Sequence, residues 1–293
     1  MTGVSRVSSV SLAQWSGLVG ISAIEAEDDD ISPECNIVGI GPGLLSACVV
    51  AARHGRDCAV LRRTRKQHGT RAQLDGMFDP GRPTALYYAD EADRLVADQV
   101  GLGVEVWVHV PVATTTLPGP ALPAVVAPYS TVADFASAAA LLHEGPYVRS
   151  SGQVATAYFE TLRAAYRYPV AASFAQHAMS HRTWNSAVGV LWGGAYLAVV
   201  LALRTGVRAF LADPLAALDP DEQPQAPPGL TAPVAIVDDL INTGTAAAAC
   251  RRLVGTAGQS ADVLALYGLG RPSQLSSMRQ NSTIVGAVLS LPG

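Results

Sequence analysis

Lysine is almost missing from this 293-residue chain: of 20 Lys+Arg, only Lys66 is a lysine. Charge of either sign is scarce as well. Charged residues make up 15% against 49% hydrophobic, which excludes an intrinsically disordered chain. A net charge of −4 and a pI near 5.8 exclude a general nucleic-acid coat or a polybasic membrane binder. Any anion bound here must be held by local chemistry. The four cysteines, Cys35, Cys48, Cys58 and Cys250, form no C-x-x-C pair and no zinc-like spacing, so reduced thiols in a cytoplasmic protein are expected. Residues 184–203 carry no charge and are long enough to raise a membrane question, but Asn185 and the pair Gly193-Gly194 divide them into strand, turn and helix. Residues 12–24 are interrupted by Gln14, Ser16 and Ser22 and run into Glu25, so no signal peptide is expected.

Apolar runs of strand length alternate with Ala/Leu/Val stretches of helical length, the pattern of an α/β protein with mostly parallel sheets flanked by helices. The first part predicts strands at 36–40, 58–61, 85–88 and 104–110, with helices at 44–54 and 91–100. Residues 111–128 hold five prolines and read as a linker. The second part predicts a helix at 132–142, a polar-rich stretch at 147–160 and one long helix around 161–181. Strands at 188–191, 208–211, 234–237 and 263–267 and helices at 195–204 and 245–254 follow, with a proline-rich loop at 213–229. The order of elements repeats, and residues 36–55 align on 187–206 without a gap, which points to an internal duplication. The expected division is an N-terminal unit, 1–112, a linker, 113–130, and a C-terminal unit, 131–293.

The strongest local signal is the run from Val234 to Ala246, VAIVDDLINTGTA. Four apolar residues form a strand and deliver Asp238 and Asp239 to its carboxyl end, where open α/β sheets bind ligands. Asn242, Thr243, Gly244 and Thr245 then open directly into an Ala-rich helix. Backbone N–H groups, hydroxyls and the positive end of a helix dipole make that stretch a phosphate cradle. Two adjacent carboxylates beside it suit the vicinal hydroxyls of a ribose.

This segment resembles the ribose-5-phosphate motif of type I phosphoribosyltransferases, which bind 5-phosphoribosyl pyrophosphate (PRPP), and other stretches resemble the orotate phosphoribosyltransferase family in particular. Residues 62–69, RRTRKQHG, resemble that family's flexible loop, with Arg62, Lys66 and His68 on pyrophosphate-clamping positions and Arg63 where a second lysine is usual. Residues 144–152 and the pair Tyr158-Phe159 resemble its N-terminal hood, and Arg271 falls where the family has a base-contacting arginine. Trp192 and Gly193 belong to the turn expected under the pyrophosphate. The resemblance covers about residues 36–110 and 132–290.

Each part then shows a complementary defect. The first keeps the basic loop, but at 84–95 its carboxylates are displaced, it has no Thr-Gly-Thr cradle, and Glu91 and Asp93 would repel a phosphate. It also has too little chain before Asn36 for a full hood. The second keeps the cradle, but residues 213–228 hold no Lys, Arg or His. Since the family is a homodimer whose loop reaches the neighbouring site, the resemblance implies two tandem phosphoribosyltransferase-like domains in an intrachain pseudo-dimer with one composite site. It implies transfer of the phosphoribosyl group of PRPP to a nitrogen of orotate or a similar heterocyclic base, with release of pyrophosphate. Mg²⁺ would be carried by PRPP, with Asp238 or Asp239 meeting it through water. Asn242 replaces the usual Thr or Ser, Ala155-Thr156 the usual Ser-Pro, and Gly193 a frequent Lys, all near the acceptor. A monomer is expected, with no nucleic-acid or membrane partner. The competing class is a non-catalytic PRPP-binding sensor or regulator.

Several other features read as structural. His177 and His181 stand i, i+4 without a carboxylate in the H-E-x-x-H manner. His109, His143, Trp107 and Trp184 are read as structural or packing residues. Residues 28–30, Asp-Asp-Asp, read as a solvated turn, and His54 as a helix-ending residue.

Overall fold

The computed structural model describes residues 18–20, 31–66, 69–110, 142–148, 154–214, 229–256, 260–270 and 283–290. The expected linker and, apart from Leu142, the expected helix at 132–142 lie outside these residues, as do most of 213–229 and the acidic run at 28–30.

The described strands form two separate α/β sheets and one hairpin. The first sheet runs β4 (Gly69–Gly76), β3 (Ala59–Lys66), β2 (Asn36–Ile40), β5 (Thr84–Tyr88), β6 (Val104–His109). The second runs β1 (Leu18–Gly20), β10 (Arg208–Ala212), β9 (Ser186–Val190), β11 (Val234–Ile241), β12 (Ala261–Gly270), β13 (Thr283–Ser290). Within these two sheets, among the described residues, only the edge strands β4 and β1 are antiparallel to their neighbours. In both sheets the parallel strands take the order second, first, third, fourth along the chain, and in the second sheet a fifth, β13, follows. Chain direction across the sheet therefore reverses between β2 and β5, and between β9 and β11, which opens a crevice at their carboxyl ends.

Helices α1 (Gly43–Arg53) and α2 (Glu91–Val100) belong with the first sheet. Helices α4 (Tyr168–His181), α5 (Ala195–Thr205) and α6 (Thr245–Thr256) belong with the second, and the short helix α3 (Thr161–Ala165) packs on β4 of the first and β11 of the second. Helix α1 buries every residue from Gly43 to Ala52, and α5 every residue from Ala195 to Leu203. A helix apolar on all sides must be covered on all sides. These two cover each other, and one continuous core takes in α1, α4, α5 and residues of both sheets, from Cys35 to Tyr267. Its largest wholly buried side chains include Tyr87, Tyr166, Tyr196 and Phe174.

Close backbone approaches set the correspondence between the sheets. A Cβ on Gly39 would stand 2.4 Å from Leu44 Cα, and one on Gly189 2.9 Å from Ala195 Cα, so in each strand a glycine lets the next helix press on it. Where the turn enters the helix, a Cβ on Gly43 would meet Tyr87 O at 2.2 Å, and one on Gly194 would meet Val237 O at 1.8 Å. Gly39 pairs with Tyr87 and Gly189 with Val237. Gly39 thus corresponds to Gly189 but Gly43 to Gly194, so the second turn is one residue longer. The gap-free alignment holds from the turn onward and slips by one in the strand. The same correspondence puts Tyr88 and Ala89 where the second sheet has Asp238 and Asp239.

Several elements differ from the sequence expectation. The long helix at 161–181 is two, broken at Tyr166-Arg167. Pro169 has no N–H to continue an earlier helix, and the new N-terminus is held by Asp57, whose Oδ1 accepts from Tyr168 N at 2.8 Å. The basic segment at 62–69 is largely strand rather than free loop: Arg62 pairs with Gln73, Arg63 with Ala72 and Lys66 with Gly69. On β4 the period-two alternation of Ala72 and Leu74, both packed on the core beneath, carries that hairpin. The polar-rich stretch contains a second hairpin, β7 (Leu142–Val148) with β8 (Val154–Phe159). Strand β11 runs on through both aspartates to Ile241, and β12 from Ala261 to Gly270. Strands β1 and β13 were not expected. Residues 18–20, assigned to the N-terminal unit, pair instead with Phe210–Ala212 of the second sheet.

Candidate functional site

The crevice of the second sheet gathers three pieces of chain: the turn after β9, the end of β11, and the loop into α6. Asp238 is 7% exposed, and its Oδ1 accepts from Asp239 N at 3.0 Å. Asp239 Oδ2 accepts a hydrogen bond from Thr161 Oγ1, at the start of α3. Burial pushes the Asp238 carboxyl well above the usual carboxylate range, and the neighbouring Asp239 adds to it. Burial raises Asp239 as well, partly offset by the Thr161 hydroxyl. A buried carboxylate beside a half-buried one is expensive until a donor or a cation meets them. Cys250, on α6, is pushed up to about 12 by burial and by Asp238.

Beyond the aspartates, Asn242 is half-buried and Thr243 exposed. Gly244 takes a positive φ of 76°, turning the chain into α6 at Thr245. Thr243 Oγ1 lies 2.9 Å from Thr245 Oγ1 and accepts from Thr245 N at 3.4 Å. Hydroxyls and backbone N–H groups therefore converge on the N-terminus of a twelve-residue helix.

The turn of residues 191–194 closes the crevice from the β9 side. The Leu191–Trp192 peptide is cis. Trp192 O accepts from Tyr166 Oη at 2.8 Å and from Ala195 N at 3.3 Å. Gly193 lies against the Asp239 carboxylate, where a Cβ would be 1.9 Å from Oδ1. The turn, the aspartates and the cradle are thus one constellation, in which Trp192, Gly193, Asp238, Asp239, Asn242, Thr243, Gly244 and Thr245 come together.

The root of the basic hairpin is linked to this constellation through α3 and Tyr166. Strand β4 packs on α3, and Tyr166 O accepts from Cys58 N at 3.0 Å. Arg62 is ion-paired with Asp75 across the hairpin. Arg63 and Lys66 are placed by the strand register alone, and His68 lies outside the described residues. From Arg62 to Lys66 is four residues, about 13 Å of strand. Tyr158 and Phe159 stand on β8, opposite His143 and Leu142. Arg271 lies outside the described residues, immediately after β12.

Thr161 and Tyr166 were missed as contributors, because in sequence they look like ordinary members of an amphipathic helix. The corresponding crevice of the first sheet differs. Its helix α2 is capped by Asp90, which accepts from Ala92 N at 2.9 Å, and the Asp93 carboxylate folds over Gly41, where a Cβ would meet Oδ2 at 2.4 Å. A carboxylate stands where an anion would sit. Of the features read as structural, His177 Nδ1 bonds Ser173 O at 2.8 Å, and Trp184 Nε1 donates to Asp262 at 3.0 Å. Trp107 packs edge-on against Tyr88 with Arg94 over its ring. Among the described residues, no group of three or more His, Cys, Asp or Glu could hold a metal ion, and no helix is long and apolar enough to cross a membrane.

No protein-family model and no curated protein matches the chain. Among solved structures it is similar to the orotate phosphoribosyltransferase of Aeropyrum pernix, at 22% identity over 54% of this chain and 94% of that one, TM-score 0.42. It is also similar to an adenine phosphoribosyltransferase of Thermoanaerobacter pseudethanolicus, at 18% identity over 51% and 95%, TM-score 0.36. A third is Mycobacterium tuberculosis orotate phosphoribosyltransferase in complex with PRPP, at 16% identity over 48% and 86%, TM-score 0.36. What the site can do is set by this chain's own residues.

Proposed function

We propose that the chain is a PRPP-dependent phosphoribosyltransferase with one composite site, acting on orotate or a similar heterocyclic base. The observation that carries this reading is the pair of buried Asp238 and half-buried Asp239 beside the Gly244-turned threonine cradle. A vicinal diol supplies hydroxyl donors to two carboxylates that burial has left costly, and a phosphate monoester accepts from the N–H groups at the start of α6. Few ligands other than a ribose 5-phosphate meet both demands at that spacing.

In this reading the turn at 191–194 lies beneath the pyrophosphate, and Arg62, Arg63, Lys66 and His68 stabilise its departing charge as the C1–O bond breaks. Removing one such clamp typically costs about 10²–10³ in rate. An incoming ring nitrogen would form the new bond to C1. Tyr158, Phe159 and Arg271 would meet the planar acceptor. The donors present are oxygens, two carboxylates without a protein cage, and they suit a Mg²⁺ held chiefly by substrate oxygens and water. When bound, the ion neutralises diphosphate charge. Within the chain, the two tandem units would supply hairpin and cradle separately. The pairing of Tyr88 and Ala89 with the aspartate positions, and Asp93 over Gly41, support a first unit with no PRPP site of its own.

The ion pair of Arg62 with Asp75 favours a second reading, a PRPP-binding sensor, because it occupies one clamp cation. The test is pyrophosphate release from PRPP and Mg²⁺ with a panel of acceptors, orotate included, on wild type and Asp239→Asn. Turnover with at least one acceptor, lost in Asp239→Asn, is the expected result. PRPP binding without turnover would move the sensor reading to the front, and no binding would end both.

A further inference from the structure

We propose that Tyr166 is a positioning residue that ties the basic hairpin to the turn at 191–194 and tunes that turn for pyrophosphate. Tyr166 sits on the break between α3 and α4, and its side chain is fully buried. Its phenol hydroxyl donates to Trp192 O at 2.8 Å, fixing the carbonyl that precedes Gly193. Its backbone carbonyl accepts from Cys58 N at 3.0 Å, at the root of the hairpin. Cys58 O in turn accepts from Met77 N at 3.0 Å, just beyond the other hairpin strand. Gly76, the last residue of β4, presses on Tyr166 as well: a Cβ there would meet Tyr166 Cβ at 3.2 Å and Cys58 O at 2.9 Å. One residue thus touches both strands of the hairpin root and the anion turn. Burial raises the phenol's pKa, and Asp239 and Asp75 both act on it in the same direction, so it stays a neutral donor.

The ring stacks on Tyr196, with centroids 5.8 Å apart and an interplanar angle of 15°. Tyr196 is equally buried, but its hydroxyl donates to Arg56 O, away from the turn. That makes it a matched control. The inference rests on the phosphoribosyltransferase reading, and the two fail differently.

Calorimetric binding of inorganic pyrophosphate with Mg²⁺ and, separately, of ribose 5-phosphate would be measured for wild type, Tyr166→Phe, Tyr196→Phe and Gly76→Ala. Tyr166→Phe is expected to weaken pyrophosphate about 3- to 10-fold, the factor an ordinary hydrogen bond carries, and to leave ribose 5-phosphate unchanged. Tyr196→Phe should change neither. Gly76→Ala, strained at φ 91° and pushing on Cys58 O as well as Tyr166 from the hairpin side, should weaken pyrophosphate too and so answers the question should Tyr166→Phe not fold. Unchanged pyrophosphate affinity in Tyr166→Phe, or equal losses in Tyr166→Phe and Tyr196→Phe, overturns the role of Tyr166 alone. If wild type binds neither ligand, the phosphoribosyltransferase reading falls and takes this inference with it.

Discussion

Replacing Gly193 with alanine should damage the proposed ribose site without removing a polar group. The added methyl would stand 1.9 Å from Asp239 Oδ1 and 2.1 Å from its Cγ, far inside van der Waals contact. Asp239 is also held by Thr161, so the carboxylate moves only by giving up that bond. A hydrogen bond to a charged group is worth about 1.5–3 kcal/mol, which is about a 10- to 150-fold loss of affinity for ribose 5-phosphate. Overpacking a filled site adds about 1–3 kcal/mol of instability, and in a chain of this size each kcal/mol lowers Tm by about 2–4 °C. Gly206→Ala is the control. Gly206 has φ 73° and nothing within 4 Å of a Cβ, so it should cost stability, by about 1 kcal/mol, and no affinity. The assay is calorimetric titration with ribose 5-phosphate beside a thermal melt. Wild-type affinity in Gly193→Ala would refute the placement of Asp239 against the turn.

Two further predictions concern the fold and its titration. The folded carboxyls of Asp238 and Asp239 have raised pKa values, so the folded state holds protons that the unfolded state has lost. Stability of the unliganded protein should therefore fall as pH rises from the ordinary carboxylate range through the raised values. Asp238→Asn should flatten that fall and melt higher than wild type near neutral pH; an unchanged pH slope in melts from pH 4 to 8 would contradict it. Phe174→Ala, in the core shared by both sheets, should cost about 3–5 kcal/mol and still unfold in a single calorimetric transition. Two separate transitions in wild type would show that the sheets do not share one core.

Much of the site was legible because its chemistry is written locally. Four apolar residues, two aspartates and Thr-Gly-Thr lie within one strand-turn-helix unit, so spacing alone brings them together. The α/β class followed from alternation, and α2 appeared with its expected bounds because Asp90 caps it and Gly101 ends it. Thr161 and Tyr166 were not legible, since each acts on a residue far along the chain, 78 and 26 positions away. The break before α4 depends on Asp57, 111 residues upstream of Tyr168, a contact no window contains. The hairpin is hard to see in sequence because the basic run at 62–66 has no apolar alternation, and that of Ala72 and Leu74 lies on the partner strand. The one-residue slip between the two sheets stayed hidden for a related reason. Apolar strands align in any register until glycines that face a backbone carbonyl fix it.

Cradle and clamp, carried by different parts of one chain, either serve a single site or do not, and one comparison of variants decides it. Pyrophosphate release would be measured for Lys66→Ala, for Asp239→Asn and for an equimolar mixture of the two, each against wild type. Loss of about 10²-fold or more in each variant, with no recovery on mixing, is the result predicted for one intramolecular composite site. Full activity in Lys66→Ala would contradict the composite site, and recovery in the mixture would show that the hairpin serves a neighbouring chain instead.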